Sequence, residues 1–174
     1  MRAVISIGSN MNDRLALMTG VYRHFYHDLV AVSSMWATPP WGGVEQDEYL
    51  NAILVVDTSL TPLQLLREGQ ALEDAAERKR TIRWGPRTLD VDIVQCTTPD
   101  GDSGQEEILS DDPVLTLPHP WATSRAFVLL PWLEAEPDAQ LLGRTVREWV
   151  KELDPADIGQ LRAVASFPPR ETSR

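Results

Sequence analysis

The sequence predicts an α+β fold, a ferredoxin-like βαββαβ two-layer sandwich with additional C-terminal helices. Three observations lead there. Short apolar runs at residues 2–7, 49–56 and 88–94 read as strands, helical periodicity fills 12–28 and 62–77, and the 174 residues suffice for one domain. No internal repeat suggests a solenoid.

Each element has a local cause. Val4, Ile5 and Ile7 make the first run a buried strand, and Gly8-Ser9-Asn10 ends it before the amphipathic stretch from Asn12 to about Asp28. Leu29 to Ala37 alternates loosely, Val30 and Val32 against Ala31 and Ser33, and runs into the rigid Thr38-Pro39-Pro40-Trp41-Gly42-Gly43. Tyr49 to Val56 is a second buried strand. Thr61 caps the next helix with Pro62 at its first position, and Leu65, Leu66, Gly69, Leu72 and Ala76 follow at helical spacing. Thr88 to Val94 alternates strictly, with Leu89, Val91 and Ile93 on one face and Thr88, Asp90 and Asp92 on the other. Helical patterns near 124–132 and 146–153 pack as additions, Trp36, Trp132 and Trp149 are core candidates, and the chain frays from Phe167 onward.

Composition narrows the function. With 16 basic and 26 acidic residues the net charge is −10, which leaves no general basic face for a nucleic-acid backbone. The longest apolar run, Ala126 to Leu133, is too short to span a bilayer and contains Pro131. The N-terminus turns polar too early for a signal peptide, and the single Cys96 forbids an internal disulfide or a multi-cysteine zinc site. A cytoplasmic protein that binds neither nucleic acid nor membrane is expected. The charge is also uneven. Arg78, Lys79, Arg80, Arg83 and Arg87 fall within ten positions, whereas Cys96 to Asp112 carries six carboxylates and no cation. That acidic stretch, with Pro99, Gly101 and Gly104, reads as a solvated excursion.

Asp90 and Asp92 are the sharpest chemical signal, because residues i and i+2 of a strand project from one face about 6 to 7 Å apart. Paired carboxylates suit Mg²⁺, which completes its shell with water and substrate phosphates. Arg83-Trp84-Gly85-Pro86-Arg87 ends just before this strand, and guanidinium forks bind phosphate oxygens bidentately. Carboxylates and arginines together point to polyphosphate. No Walker-type glycine loop is present. The Thr38-Pro39-Pro40-Trp41 segment with Tyr49 and Asn51 could read the edge and face of a planar heterocycle, although a rigid turn with a core tyrosine fits those residues as well. His119, pinned in Leu117-Pro118-His119-Pro120, precedes Arg125 and Phe127 at the start of a helix.

Together, Gly8-Ser9-Asn10, Thr38-Pro39-Pro40 with Tyr49-Leu50-Asn51, Arg83 through Asp92, and Pro118-His119 with Arg125-Ala126-Phe127 resemble the 6-hydroxymethyl-7,8-dihydropterin pyrophosphokinase family, from the first strand to about residue 135. The resemblance implies transfer of the β,γ-diphosphate of ATP to the pterin hydroxymethyl group, releasing AMP, in folate biosynthesis. It implies two Mg²⁺ ions on Asp90 and Asp92, phosphate contacts from Arg83, Arg87, His119 and Arg125, and a closing loop that brings Arg78 and Arg80. The nucleoside would lie among Leu66, Gln70, Glu73, Ile93, Leu115 and Thr116. The pterin would meet Thr38, Pro40, Trp41 and Asn51, with Tyr49 and Phe127 on its faces and Trp84 closing over it. Arg78, Arg80, Arg87, Asp90 and Asp92 would be catalytic. Asn12 and Glu77 depart from the family pattern. The expected organisation is a monomer with one catalytic domain over residues 1–160 and a C-terminal tail over 161–174. A palm-type nucleotidyltransferase and a non-catalytic ligand-binding module are the rival readings.

Overall fold

The computed structural model describes residues 1–10, 13–39, 47–77, 89–100 and 104–169. Its centre is an antiparallel sheet in the order β11-β3-β4-β1-β5-β6, with β2 also paired to β4. The main strands are β1 (Arg2–Ser9), β2 (Leu29–Val32), β3 (Met35–Thr38), β4 (Tyr49–Asp57), β5 (Asp90–Asp100), β6 (Gly104–Glu107) and β11 (Arg162–Ala165). Two small hairpins lie outside it, β7 (Ser110–Asp112) with β8 (Leu115–Leu117), and β9 (Gln140–Leu141) with β10 (Arg144–Thr145).

The helices divide between the two faces. On one face, α1 (Arg14–His24) and α2 (Pro62–Glu77) cover Ile5, Ile7, Leu54 and Val91, with Met18, Val21 and Leu65 filling the layer. On the other, α3 (Ala126–Ala135) and α4 (Val146–Val150) cover Val4, Ile53, Val55 and Val94, with Leu129, Trp132 and Val146 between them. α5 (Pro155–Gly159) adds a short turn starting at the Asp154 cap. The additional helices therefore seal the second face of the sheet, so that β4 is buried on both sides from Leu50 to Val56. That is why its sequence is an unbroken apolar run rather than an alternating one.

Local causes match most of the sequence reading. Asp13 caps α1 by accepting from the Ala16 amide at 3.0 Å, and the helix ends at His24 rather than near residue 28. Leu29–Ala37 is two strands, because the buried Ser33 turns inward. Its Oγ accepts from the Ile53 amide at 2.9 Å and donates to the Ser34 carbonyl at 2.7 Å. Thr145 and Glu148 form a reciprocal cap for α4. Trp132 is buried in the second core, and Trp149 lies against it with its Nε1 donating to the Leu141 carbonyl at 2.8 Å.

The acidic stretch after Cys96 is not a solvated excursion throughout. β5 continues to Asp100 and pairs with β6, and Glu107 accepts from Gln95 Nε2 at 2.7 Å and from the Leu142 amide at 3.0 Å. Residues 161–174, expected as a tail, supply β11, which pairs with β3, and Phe167, whose ring stacks on Tyr22 at 4.9 Å. Among the described residues no helix is long and apolar enough to cross a membrane.

One irregularity sets the phase of β5. Ile5 faces Ile93 but Val4 faces Gln95, so Val94 is an extra residue on β5. Its carbonyl accepts from the His119 amide at 2.8 Å. Asp90 and Asp92 consequently share the α3 face of the sheet with Val94, whereas Val91 and Ile93 join the core under α1 and α2.

Candidate active site

α3 starts beside the end of the sheet where β4 and β5 begin. There it leaves a cavity of about 310 Å³ lined by Ser6, Gly8, Thr38, Pro39, Tyr49, Asn51, Asp90, Asp92, Arg125 and Phe127. Register explains the floor. Gly8 faces Asn51 on β4 and Asp90 on β5, and Ser6 faces Asp92, so alternate residues of three strands present themselves together. The wall comes from Arg125, at the N-cap position of α3, and Phe127 in its first turn.

The polar groups are held in place. Asn51 Nδ2 donates to Thr38 Oγ1 at 3.1 Å, which orients the amide of a residue that is 7% exposed. A Cβ on residue 8 would lie 2.8 Å from Asn51 Oδ1, so any side chain there displaces the amide. Arg125 Nη1 stands 3.9 Å from Asp92 Oδ2, and its guanidinium carbon lies 5.5 Å from the centre of the Phe127 ring. Asp92 is half-exposed, so this pair is open to a ligand rather than locked in the core.

His119 stands close enough to Asp92 and Arg125 to feel both charges. Its Nδ1 accepts from the Trp121 amide at 3.1 Å, which leaves Nε2 as the protonated nitrogen of the neutral ring. Burial pulls its pKa below the ordinary imidazole value, against the opposing charge of Asp92 and with that of Arg125. Cys96 takes no part. It is fully buried, and burial pushes its thiol up to about 12.

The residues expected around the nucleoside meet on the opposite face of β5. Ile93 is buried, and Leu66 of α2 and Leu115 of β8 pack against the same core. Glu73 Oε1 accepts from the Val91 amide at 2.7 Å, which binds α2 to the start of β5, and Gly69 passes so close that a Cβ there would lie 3.0 Å from Val91 Cγ1. Gln70 is exposed on α2, and Thr116 Oγ1 donates to the Asp112 carbonyl at 3.2 Å. β6 pairs with β5 only from Thr97 onward, so the 90–93 stretch that separates the two groups has no neighbouring strand on its outer side among the described residues.

Pro40, Trp41, Arg78, Arg80, Arg83, Trp84 and Arg87 lie outside the described residues, as does Asn12. Ser6 lines the cavity without having been named from sequence, and Pro39 does so having entered only as part of the rigid Thr38-Pro39-Pro40 segment. Their signal was faint, a serine interrupting an apolar strand and the first of two prolines. A larger open groove of about 950 Å³ lies at the far end of the same face, beside Arg2, Gln95, Glu107 and Glu136. Its polar groups bond one another, Gln95 to Glu107 and Arg2 to Glu136, so it lacks the convergent, ligand-facing set of the smaller cavity.

A model of the 7,8-dihydro-6-hydroxymethylpterin-pyrophosphokinase family matches residues 4–137. The chain is 43% identical over 166 residues to the 2-amino-4-hydroxy-6-hydroxymethyldihydropteridine pyrophosphokinase of Mycobacterium tuberculosis, covering 92% of this chain and 88% of that one. It is 40% identical over 161 residues to the enzyme of the same name from Methylorubrum extorquens, covering 90% and 96% respectively. The crystal structure of Plasmodium falciparum HPPK-DHPS aligns with a TM-score of 0.60 at 14% identity over 87% of this chain and 40% of that one, a likeness of fold alone. Since the match runs through β5 with its two aspartates and on through α3 with Arg125 and Phe127, the chain belongs to the 7,8-dihydro-6-hydroxymethylpterin-pyrophosphokinase family.

Proposed function

We propose that this chain transfers the β,γ-diphosphate of ATP to the hydroxymethyl group of 6-hydroxymethyl-7,8-dihydropterin, releasing AMP, as a step of folate biosynthesis. The observation that carries this reading is the single cavity holding both kinds of recognition. Asp90, Asp92 and Arg125 suit a polyphosphate, and Asn51, Tyr49 and Phe127 suit a flat heterocycle. The pterin lies with its faces toward Tyr49 and Phe127 and its edge on the Asn51 amide. ATP straddles the uncovered edge of β5, its base among Leu66, Gln70, Glu73, Ile93, Leu115 and Thr116 and its phosphates reaching Arg125 and His119.

Two Mg²⁺ ions on Asp90 and Asp92 fit the donor set. Two half-exposed carboxylates on one strand face, with no group of three or more ligating side chains among the described residues, suit an ion that keeps most of its shell for water and phosphate. Bound there, Mg²⁺ neutralises charge on the triphosphate. The protein's own residues position and balance. The pterin hydroxyl oxygen bonds to the β-phosphorus, the bond from that phosphorus to the oxygen bridging to the α-phosphate breaks, AMP departs with that oxygen, and the hydroxyl proton passes to water. Arg125 stabilises the charge that develops. The four strands β5-β1-β4-β3 with α1 and α2 are in the order a ferredoxin-like core would have, which supports that finer reading of the fold.

Nucleotide analysis after incubation with Mg-ATP and the pterin tests the reaction. AMP formed only when pterin and metal are both present is the expected result. Pyrophosphate release would instead favour a nucleotidyltransferase, and pterin binding without turnover a binding module. Within this reading, Gly8→Ala forces the Asn51 amide aside and raises the KM for pterin about tenfold, with the KM for ATP little changed. Equal KM values for pterin in the two proteins would remove Asn51 from pterin recognition.

A further inference from the structure

We infer that Arg162 and Arg14 are positioning residues for the pterin end of the cavity, acting through Glu48. This rests on the reaction proposed above. Arg162, the first residue of β11, donates from Nη1 and Nη2 to the two carboxylate oxygens of Glu48 at 2.8 and 2.7 Å. Arg14, at the start of α1, donates to the Glu48 backbone carbonyl. Glu48 is thus held at both its side chain and its main chain by arginines from opposite ends of the sequence. The residue that follows it is Tyr49, which opens β4 and forms part of the cavity wall.

The strand pairing shows what the clamp controls. Arg162 pairs with Ala37 on β3, and the next residue of β3, Thr38, pairs with Tyr49. The Arg162 side chain therefore crosses β3 to reach the point where the chain enters β4. Thr38 is also the acceptor that orients Asn51. Neither Glu48 nor Arg162 lines the cavity, so their effect on pterin must pass through the placement of Tyr49 and Thr38.

Stability is a weaker explanation for the arrangement. The Arg162 and Glu48 side chains are 58% and 35% exposed, and exposed ion pairs contribute little to folding. A two-pronged guanidinium on a carboxylate does fix direction, however, and a misplacement of about 1 Å at a substrate contact is costly. The Glu48 carboxyl is held below the ordinary carboxylate value chiefly by its hydrogen bond from Arg162, so the clamp stays charged at neutral pH.

Steady-state AMP formation by the full chain tests this, varying pterin at saturating Mg-ATP and ATP at saturating pterin, with thermal unfolding recorded alongside. Arg162→Ala is expected to raise the KM for pterin about fivefold while the KM for ATP stays within about twofold and the melting temperature holds. Glu48→Gln should give the same split, and Arg162→Lys, a point charge without the fork, should fall between. An unchanged KM for pterin in Arg162→Ala and Glu48→Gln would overturn the inference alone. So would a parallel rise in the KM for ATP, which would mean general loosening. A wild-type chain that forms no AMP would overturn the proposed reaction and this inference with it.

Discussion

Asp92→Ala yields a folded protein whose rate of AMP formation is lower by about a thousandfold or more. Folding survives because Asp92 is half-exposed on the cavity face and contributes nothing to either apolar core. Activity does not survive, because on the proposed reading the substitution removes one of the two carboxylates that hold Mg²⁺, and it leaves Arg125, 3.9 Å away, without its counter-charge. The pair of measurements is turnover under saturating substrates and an unfolding curve. Near wild-type turnover would remove Asp92 from the chemistry, and a large loss of stability would make it a structural residue instead.

Trp132→Ala is expected to destabilise the fold by about 3–5 kcal/mol. Trp132 is 1% exposed and is the largest fully buried side chain among the described residues, set between α3 and the sheet beside Val4, Ile53 and Val55. Its Nε1 donates to Glu136 Oε2 at 3.1 Å, and Glu136 pairs with Arg2 of β1, so the indole also ties α3 to a central strand. Truncation leaves a cavity and frees the carboxylate from one partner. Urea unfolding reads the change as a lower midpoint at an unchanged slope. A loss of under about 1 kcal/mol would mean that the layer collapses around the gap. Because α3 carries Arg125 and Phe127, residual activity in this variant should fail at lower temperature than in the wild type.

The order of the main elements was legible in the sequence because each has a strong local signature. Strict alternation marked the start of β5, and Thr61-Pro62 marked the start of α2. The break between β2 and β3 was not legible, since it depends on Ser33 bonding to Ile53, a contact that exists only after β4 has docked. β6 was hidden for a similar reason. Acidic residues with glycine and proline resemble a solvated loop until Glu107 finds Gln95 and Leu142. Within the candidate site, Asp90, Asp92, Asn51 and Tyr49 were picked out by side-chain chemistry and are brought together by the sheet register, whereas Arg125 and Phe127 took their roles from the family resemblance and arrive on α3. Glu48 carried no such chemistry. Its partner lies 114 positions away on a segment that reads as a loose end.

The extra residue at Val94 bears on how this gene can vary. Strand residues alternate sides, so β5 as built is two runs spliced out of phase, with Asp90 and Asp92 on one side of the splice and Gln95 and Thr97 on the other. Both runs nevertheless face α3, because the extra residue lets even-numbered and odd-numbered positions share that side. Losing the Val94 codon would leave Ile93 and Gln95 adjacent, opposite Ile5 and Val4 as they already are, and would turn no other side chain over. What it would remove is one buried valine of the α3 core and the carbonyl that holds the His119 amide. A deletion at this point should therefore disturb His119 while leaving Asp90 and Asp92 on their face.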